Sequence, residues 1–337
     1  MAPDDRAVTR DLLAALGITH PIIQAPIGSL TTPALAAAVS QAGGLGTLAL
    51  TWVSSDEARR RIRQVRALTD RPFAVNFVLS FPIQEVLEAS LQEGAPIVST
   101  FWGDPGSVHE RIREAGALHV HTVESVAAAR QSVDEGVDAV VAQGSEAGGH
   151  VLGAVSMAAL VPAVVDAISP VPVIAAGAIA DGRGLAAAIA LGARAGWLGT
   201  RFVASSEAAA HPDYQRAVAA ASAEDAVYSG CFDGGWPDAP HRTLVNSTLR
   251  TWERAGRPSA PRRPGESDIV AVGARGEEHR RYSSVAPLAS MTGEIESMAL
   301  YAGQSAGVVD GCRPAAELVA EITAQAERIL GRSLTRA

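Results

Sequence analysis

The chain has 337 residues, 47% of them hydrophobic and 19% charged, enough apolar material for a sizeable core, which excludes global disorder. A net charge of −8 gives no basic footprint for nucleic acid or an anionic membrane. All 28 basic residues are arginine, so mechanisms that need a Schiff-base lysine or a phosphate-loop lysine are closed.

The N-terminus, Met1-Ala2-Pro3-Asp4-Asp5, is acidic and lacks the basic-then-apolar order of a secretory leader. No stretch approaches the roughly 18 uninterrupted apolar residues of a membrane span. Cys231 and Cys312 lie far apart and form neither a CxxC nor a metal-binding spacing. A cytoplasmic protein without disulfides, membrane partners or nucleic-acid partners is expected.

Strands are expected at 22–25, 45–50, 73–77, 97–100, 118–121, 139–142, 171–175 and 195–198. These are short apolar runs of the kind found in parallel strands covered on both faces. Helices rich in alanine and leucine fall between them, at 33–41, 56–68, 83–92, 107–114, 124–135, 157–168 and 184–191. Gly43-Gly44, Gly94, Gly116, Gly136 and Gly192 mark the helix ends. Eight strands alternating with helices is the number at which a parallel sheet closes, so an α/β fold of the (β/α)8 TIM-barrel type is expected.

Beyond Val203 the rhythm breaks. Residues 204–221 read as helix, and 230–282 are dense in Gly, Pro, Trp and Arg, as in Gly234-Gly235-Trp236-Pro237 and Arg262-Arg263-Pro264-Gly265. A smaller inserted subdomain is expected here, mostly helical or irregular, its Trp and Arg side chains lying over the barrel mouth. Helical character returns at 293–301 and 314–330. The division expected is a barrel over 1–212, an inserted lid over 213–289, and a C-terminal helical segment over 290–337 that returns to the barrel.

In such a barrel the chemistry sits on the loops after the strand C-termini. Gln24-Ala25-Pro26-Ile27-Gly28 follows the first strand, Asn76 ends the third, and Trp102 follows the fourth. His119 and His121 fall at the end of the fifth, Ala175-Ala176-Gly177-Ala178 after the seventh, and Gly199-Thr200-Arg201 after the eighth. Gly43-Gly44-Leu45-Gly46 runs from helix into strand, the reverse of a dinucleotide-binding turn, and reads as structural. The turns at Gly177 and Gly199-Thr200 stand where barrels commonly bind phosphate; glycines that merely permit sharp turns are the plainer alternative.

The most informative stretch is Gln143-Gly144-Ser145-Glu146-Ala147-Gly148-Gly149-His150 after the sixth strand. Its glycines let a ligand lie against the backbone, and His150 places a base of near-neutral pKa beside it. A tight turn carrying a surface histidine remains open. His20, His109, His211 and His279 read as loop or surface residues. His119 and His121 face one side of their strand. No third ligand stands at a convincing spacing, so no metal is expected, and a polar lining of the barrel mouth is the expectation for the pair.

Taken together, Gln24-Ala25-Pro26, Asn76, the 142–150 run, Ala175-Ala176-Gly177, Leu198-Gly199-Thr200-Arg201-Phe202 and Ala302-Gly303-Gln304-Ser305-Ala306-Gly307 resemble the nitronate monooxygenases, formerly called 2-nitropropane dioxygenases. The resemblance runs from about Ile22 to Val309. It implies an FMN-dependent barrel with a substrate-covering second domain, which oxidises alkyl nitronates, and nitroalkanes as well, with O2 to a carbonyl compound and nitrite. By position it assigns FMN contacts to Ala25, Pro26, Ile27, Asn76, Gln143, Gly148, Gly149, Gly177, Trp197, Leu198, Gly199 and Thr200. His150 matches the catalytic histidine, which takes the proton α to the nitro group or, when protonated, holds the nitronate. Trp102, His121 and Gln304 are candidates for the substrate wall.

Two departures stand out. Ile27 replaces a methionine common in the family, and the fifth strand lacks the lysine some members place near the flavin, leaving His119 or His121 to supply the polar group there. Related barrels with the same flavin motifs include NAD(P)H-dependent enoyl-thioester reductases, a second enzymatic expectation; a non-catalytic flavin-binding sensor is a third. The partners expected are a small nitronate or nitroalkane and O2, with a homodimer as the assembly to test for.

Overall fold

The computed structural model describes residues 11–335, so the acidic stretch 1–5 lies outside the described residues. In chain order the strands are β1 (Ile22–Gln24), β2 (Gly46–Ala49), β3 (Phe73–Val78), β4 (Ile97–Phe101), β5 (Leu118–Val123), β6 (Ala139–Gln143), β7 (Gly149–His150), β8 (Val173–Ala176), β9 (Ala195–Leu198), β10 (Ala226–Ser229), β11 (His241–Leu244), β12 (Ile269–Val272), β13 (Glu278–Arg280) and β14 (Thr292–Gly293). The helices are α1 (Leu12–Leu16), α2 (Pro33–Gln41), α3 (Ser55–Leu68), α4 (Gln84–Gln92), α5 (Gly106–Glu114), α6 (Val126–Asp134), α7 (Met157–Ile168), α8 (Gly182–Ala190), α9 (Thr200–Val203), α10 (Pro212–Ala220), α11 (Ser247–Arg254) and α12 (Ala315–Leu330).

Eight strands form one parallel sheet in the order β1-β9-β8-β6-β5-β4-β3-β2. Its ends meet where Leu45 N–H donates to Ile22 O and Gln24 N–H to Leu45 O, each at 2.9 Å. The sheet is therefore a TIM-like barrel. Strand alternation divides its side chains. Ile23, Leu45, Ala74, Ile97, Val120, Val141, Ile174 and Ala195 fill the interior, while Ile22, Val140 and Val173, with Leu48, Val75 and Val98, pack outward under the helices. Both faces are apolar because both are covered. Gly46 shows how close that cover lies: a Cβ there would sit 2.0 Å from Ala36 O of α2.

The end opposite the strand C-termini is stoppered by α1, whose Leu12 and Leu16 join the interior cluster. Asp11 caps this short helix and Gly17, at φ 67°, ends it. At the other end of the chain, Leu318, Val319, Ile322 and Ala326 of α12 share a core with Leu185 and Ala186 of α8 and with Leu35 and Val39 of α2. Thus α12 completes the helical ring, and the long segment between α9 and α12 is spliced in after the last barrel strand.

That segment differs from the sequence expectation in its regular parts. Its helices are α10 and α11, the latter capped by Asn246, but the frame is two small antiparallel sheets, β10-β11-β7, completed by β7 from the barrel, and β13-β12-β14. Helix is absent from 293–301: Gly293, at φ 128°, pairs with Ala271, and one 3-10 turn follows at Ile295–Ser297. The helix expected over 204–221 begins only at Pro212, because His211 is held extended before the proline and its ring accepts the Asp213 N–H. Among the described residues no helix is long and apolar enough to cross a membrane.

Candidate active site

The C-terminal strand ends bring most of the sequence-derived residues to one mouth. Asn76 points inward from β3 and donates its side-chain amide to Ser99 Oγ at 2.9 Å. Gln143, at the end of β6, donates to His150 O at 3.2 Å, while its own Oε1 is buried without a hydrogen-bond partner. Gly177, at φ 107°, leaves β8 beside the Gly144–Ala147 backbone: a Cβ there would lie 3.4 Å from Ala147 N and Gly144 O. Gly199 lies against Ala25 and Ile27, whose side chains would each sit 3.7 Å from a Cβ on it. Pro26 joins those two residues.

Thr200 opens α9. Its Oγ1 accepts the Gly303 N–H at 2.9 Å, so its own O–H remains available to a ligand. The first-turn N–H groups of Thr200 and Arg201 have no partner inside the helix. Gln304 is brought to the same place by its N–H, which donates to Glu146 O at 3.0 Å. Glu146 itself is structural, both carboxylate oxygens accepting the Met157 N–H at the start of α7. Two residues of the β9 motif face elsewhere: Trp197 fills the barrel interior and Leu198 packs among the helices, so Leu198 can offer the mouth only backbone.

His150 sits on β7, held against β11 with His241 directly opposite and Arg242 opposite Gly149. Its ring lies 4.1 Å from Trp236, 5.5 Å from both His241 and Tyr301, and 6.1 Å from Trp102. Part of the residue meets solvent, but Nε2 is buried with no partner. This burial, with His241 as a lesser cause, lowers its pKa to about 3. The imidazole is therefore neutral at physiological pH, an acceptor rather than a cation. A surface histidine on a plain turn does not describe it, and the role of a protonated anchor for a nitronate is disfavoured.

His241 is fixed in one tautomer. The Phe232 N–H donates to its Nε2 at 3.1 Å, so Nδ1 carries the proton toward Ala239 O at 3.0 Å. Tyr301 is half-buried and donates to Ser284 O at 2.9 Å. Trp102 reaches His150 from a backbone φ of 61°, an uncommon conformation for a bulky side chain.

His119 and His121 are not at the mouth. Alternation along β5 sends Val120 and Thr122 inward, and the two histidines outward into the strand–helix layer. There Thr100 Oγ1 meets His119 Nε2 and His121 Nδ1, each at 2.7 Å, and His109 of α5 stacks on His119 with centroids 5.5 Å apart. Burial lowers their pKa values to about 3 for His119 and about 4 for His121. His121 thus leaves the substrate wall, His109 is no simple surface residue, and Thr122 holds the inward position on the fifth strand. Among the described residues no group of three His, Cys, Asp or Glu is arranged to hold a metal.

Sequence reasoning missed three neighbours of His150. Trp236 had a signal, the Gly-Gly-Trp-Pro run; Tyr301 stands one residue before the Ala302–Gly307 motif; His241 had none. The site fits an FMN. Gln143 Oε1 is a buried acceptor in need of a donor, such as a flavin ring N–H. The Gly177 and Gly199-Thr200 turns present a hydroxyl and glycine backbone where a phosphate would bind.

Comparison with known proteins agrees with this geometry. The family model for nitronate monooxygenase matches residues 10–86 and 78–325. A nitronate monooxygenase of Paraburkholderia phytofirmans is 33% identical over 381 aligned positions, covering 98% of this chain and 97% of that protein. A (3aS,4S,5R,7aS)-5-hydroxy-7a-methyl-1-oxo-octahydro-1H-indene-4-carboxyl-CoA dehydrogenase of Mycobacterium tuberculosis is 34% identical, covering 73% of this chain and 69% of its own. Among solved structures, FabK of Thermotoga maritima superposes with a TM-score of 0.78 at 32% identity, over 95% of this chain and 96% of its own. Nitroalkane oxidase of Streptomyces ansochromogenes gives 0.75 at 29% identity, over 95% and 99%.

Proposed function

Because the chain belongs to the nitronate monooxygenase family and is an oxidoreductase, we propose that it binds FMN and oxidises alkyl nitronates, and nitroalkanes through them, with O2 to a carbonyl compound and nitrite. When bound, FMN supplies the redox chemistry, taking electrons from the substrate and passing them to O2. The protein's part is to grip, orient and move a proton. Gly177, Gly199 and Thr200 would hold the FMN phosphate, Ala25-Pro26-Ile27 and Gly148-Gly149 would lie along its ring system, and Asn76 and Gln143 would offer it polar groups. Neutral His150 takes the α-proton of a nitroalkane at Nε2. A nitronate arrives without that proton and needs only to be oriented.

The observation that carries this proposal is the buried, unpartnered Nε2 of His150 beside the unpartnered Oε1 of Gln143. It is tested by nitrite release from a nitroalkane and from its preformed nitronate. FMN-loaded wild type releases nitrite from both, and His150→Asn releases it from the nitronate alone. Unchanged nitroalkane turnover in that variant removes His150 as the base.

A second reading, NAD(P)H-driven reduction of an unsaturated thioester, draws on the likeness to the carboxyl-CoA dehydrogenase. The two are separated by which compound reduces the flavin. A cytoplasmic location belongs to the same proposal, supported by two free thiols, Cys231 and Cys312. So does a homodimer, which light scattering would test.

A further inference from the structure

Three of the chain's five tryptophans, Trp52, Trp102 and Trp236, gather at the barrel mouth. Trp236 is the hub. Its ring centroid lies 5.0 Å from Trp102, 5.1 Å from Phe81 and 6.0 Å from Trp52, and it tilts 31° from the His150 plane at 4.1 Å. Trp52, more than half exposed, stands on a cavity of about 680 Å³ that opens beside Gly28, Ser29 and Ala49 on one side and the charged Glu57, Arg60, Arg61 and Arg275 on the other. A row of rings therefore leads from solvent to the imidazole.

None of the rings contacting Trp236 belongs to a charged side chain. Arg242, the cation on β11, turns its guanidinium to Ser145 O and Ala226 O, each at 2.7 Å. The loop that carries Trp236 is fastened on both sides. Gly234 N–H donates to Tyr282 O and Ser284 N–H to Gly234 O, each at 2.9 Å, and Phe232 N–H is held by His241. Trp102 keeps its strained φ in the same cluster, a cost that surrounding structure must sustain. An apolar, pre-positioned aromatic wall beside the base favours a flat apolar ring, and the charged groups stand farther out, around Trp52.

We infer that the aromatic cluster beside His150 selects nitronates whose reacting carbon bears an aromatic or similarly flat apolar substituent, with Trp236 as the side chain that sets the preference. This rests on the nitronate-oxidising function proposed above.

The test compares FMN-loaded wild type, Trp236→Phe and Trp236→Ala on the anions of phenylnitromethane and nitroethane, read as kcat/KM. In parallel, benzoate and propionate are titrated as unreactive carboxylate mimics of the nitronate group, read as perturbation of flavin absorbance. Wild type should favour the aromatic member of each pair by about tenfold, Trp236→Phe should keep most of that preference, and Trp236→Ala should lose it. Equal values for the pair in wild type, no binding of either carboxylate, or a preference untouched in Trp236→Ala would overturn the inference. Aromatic preference among carboxylates without oxidation of either nitronate would uphold the pocket's selectivity and sink the assigned reaction. Oxidation of both nitronates without preference would do the reverse.

Discussion

Gly148 and Gly303 meet backbone to backbone: a Cβ at Gly148 would lie 2.3 Å from Gly303 N. The loop that carries His150 is thereby locked to the segment returning from the inserted sheets, and only glycine permits the approach. Gly148→Ala should lower stability by about 1–3 kcal/mol through overpacking. It should also displace His150, so that urea unfolding shifts and nitrite release falls together. Wild-type stability with wild-type turnover would show that the loops do not need this contact.

The same segment is tied to the barrel by Thr200, whose Oγ1 accepts the Gly303 N–H at 2.9 Å. Thr200→Val removes that acceptor and the O–H proposed to face phosphate. Hydrogen bonds to charged groups are worth about 1.5–3 kcal/mol, so FMN binding, followed by flavin fluorescence, should weaken roughly 10- to 100-fold. Thr200→Ser should restore most of it.

His150→Asn should lower turnover of a neutral nitroalkane by roughly 10² or more while flavin stays bound. Turnover of the preformed nitronate should change far less. Equal losses on both substrates would assign His150 to orientation rather than proton transfer.

Acid should destabilise the fold through His119, His121 and His150. Their folded pKa values lie at about 3, 4 and 3, below the ordinary 6.5 they regain on unfolding. Between those limits the unfolded chain holds more protons than the folded one, so stability falls as pH drops from 6.5 toward 4. Each group contributes a slope of up to about 1.4 kcal/mol per pH unit. His121→Gln should remove one such contribution, measured as unfolding free energy in urea at pH 7, 6 and 5. An unchanged slope would mean that His121 protonates in the folded state.

The barrel was legible because each strand is a short apolar run and most barrel helices end at a glycine, α3 and α7 being the exceptions at Thr69 and Ser169. The same property hid the site's finer layout. Leu118–Val123 does alternate, His119 and His121 against Leu118 and Val120, but with both faces of the sheet covered the alternation does not say which face is the barrel interior, so His121 and Thr122 could not be told apart; Val120, in the interior cluster, settles it. The residues at strand ends, such as Asn76, Gln143 and Thr200, could be placed because the fold puts strand C-termini together whatever the side chains. Trp236, His241 and Tyr301 reach His150 through pairings of β7, β10 and β11 across long stretches of chain, and short-range pattern does not encode such contacts.

The most direct measurement is anaerobic mixing of the FMN-loaded protein with propyl-2-nitronate and, separately, with NADPH, following the flavin spectrum. Oxidation of nitronates requires bleaching by the nitronate alone, then nitrite release once air is admitted. Bleaching by NADPH with no response to the nitronate would contradict it and favour thioester reduction.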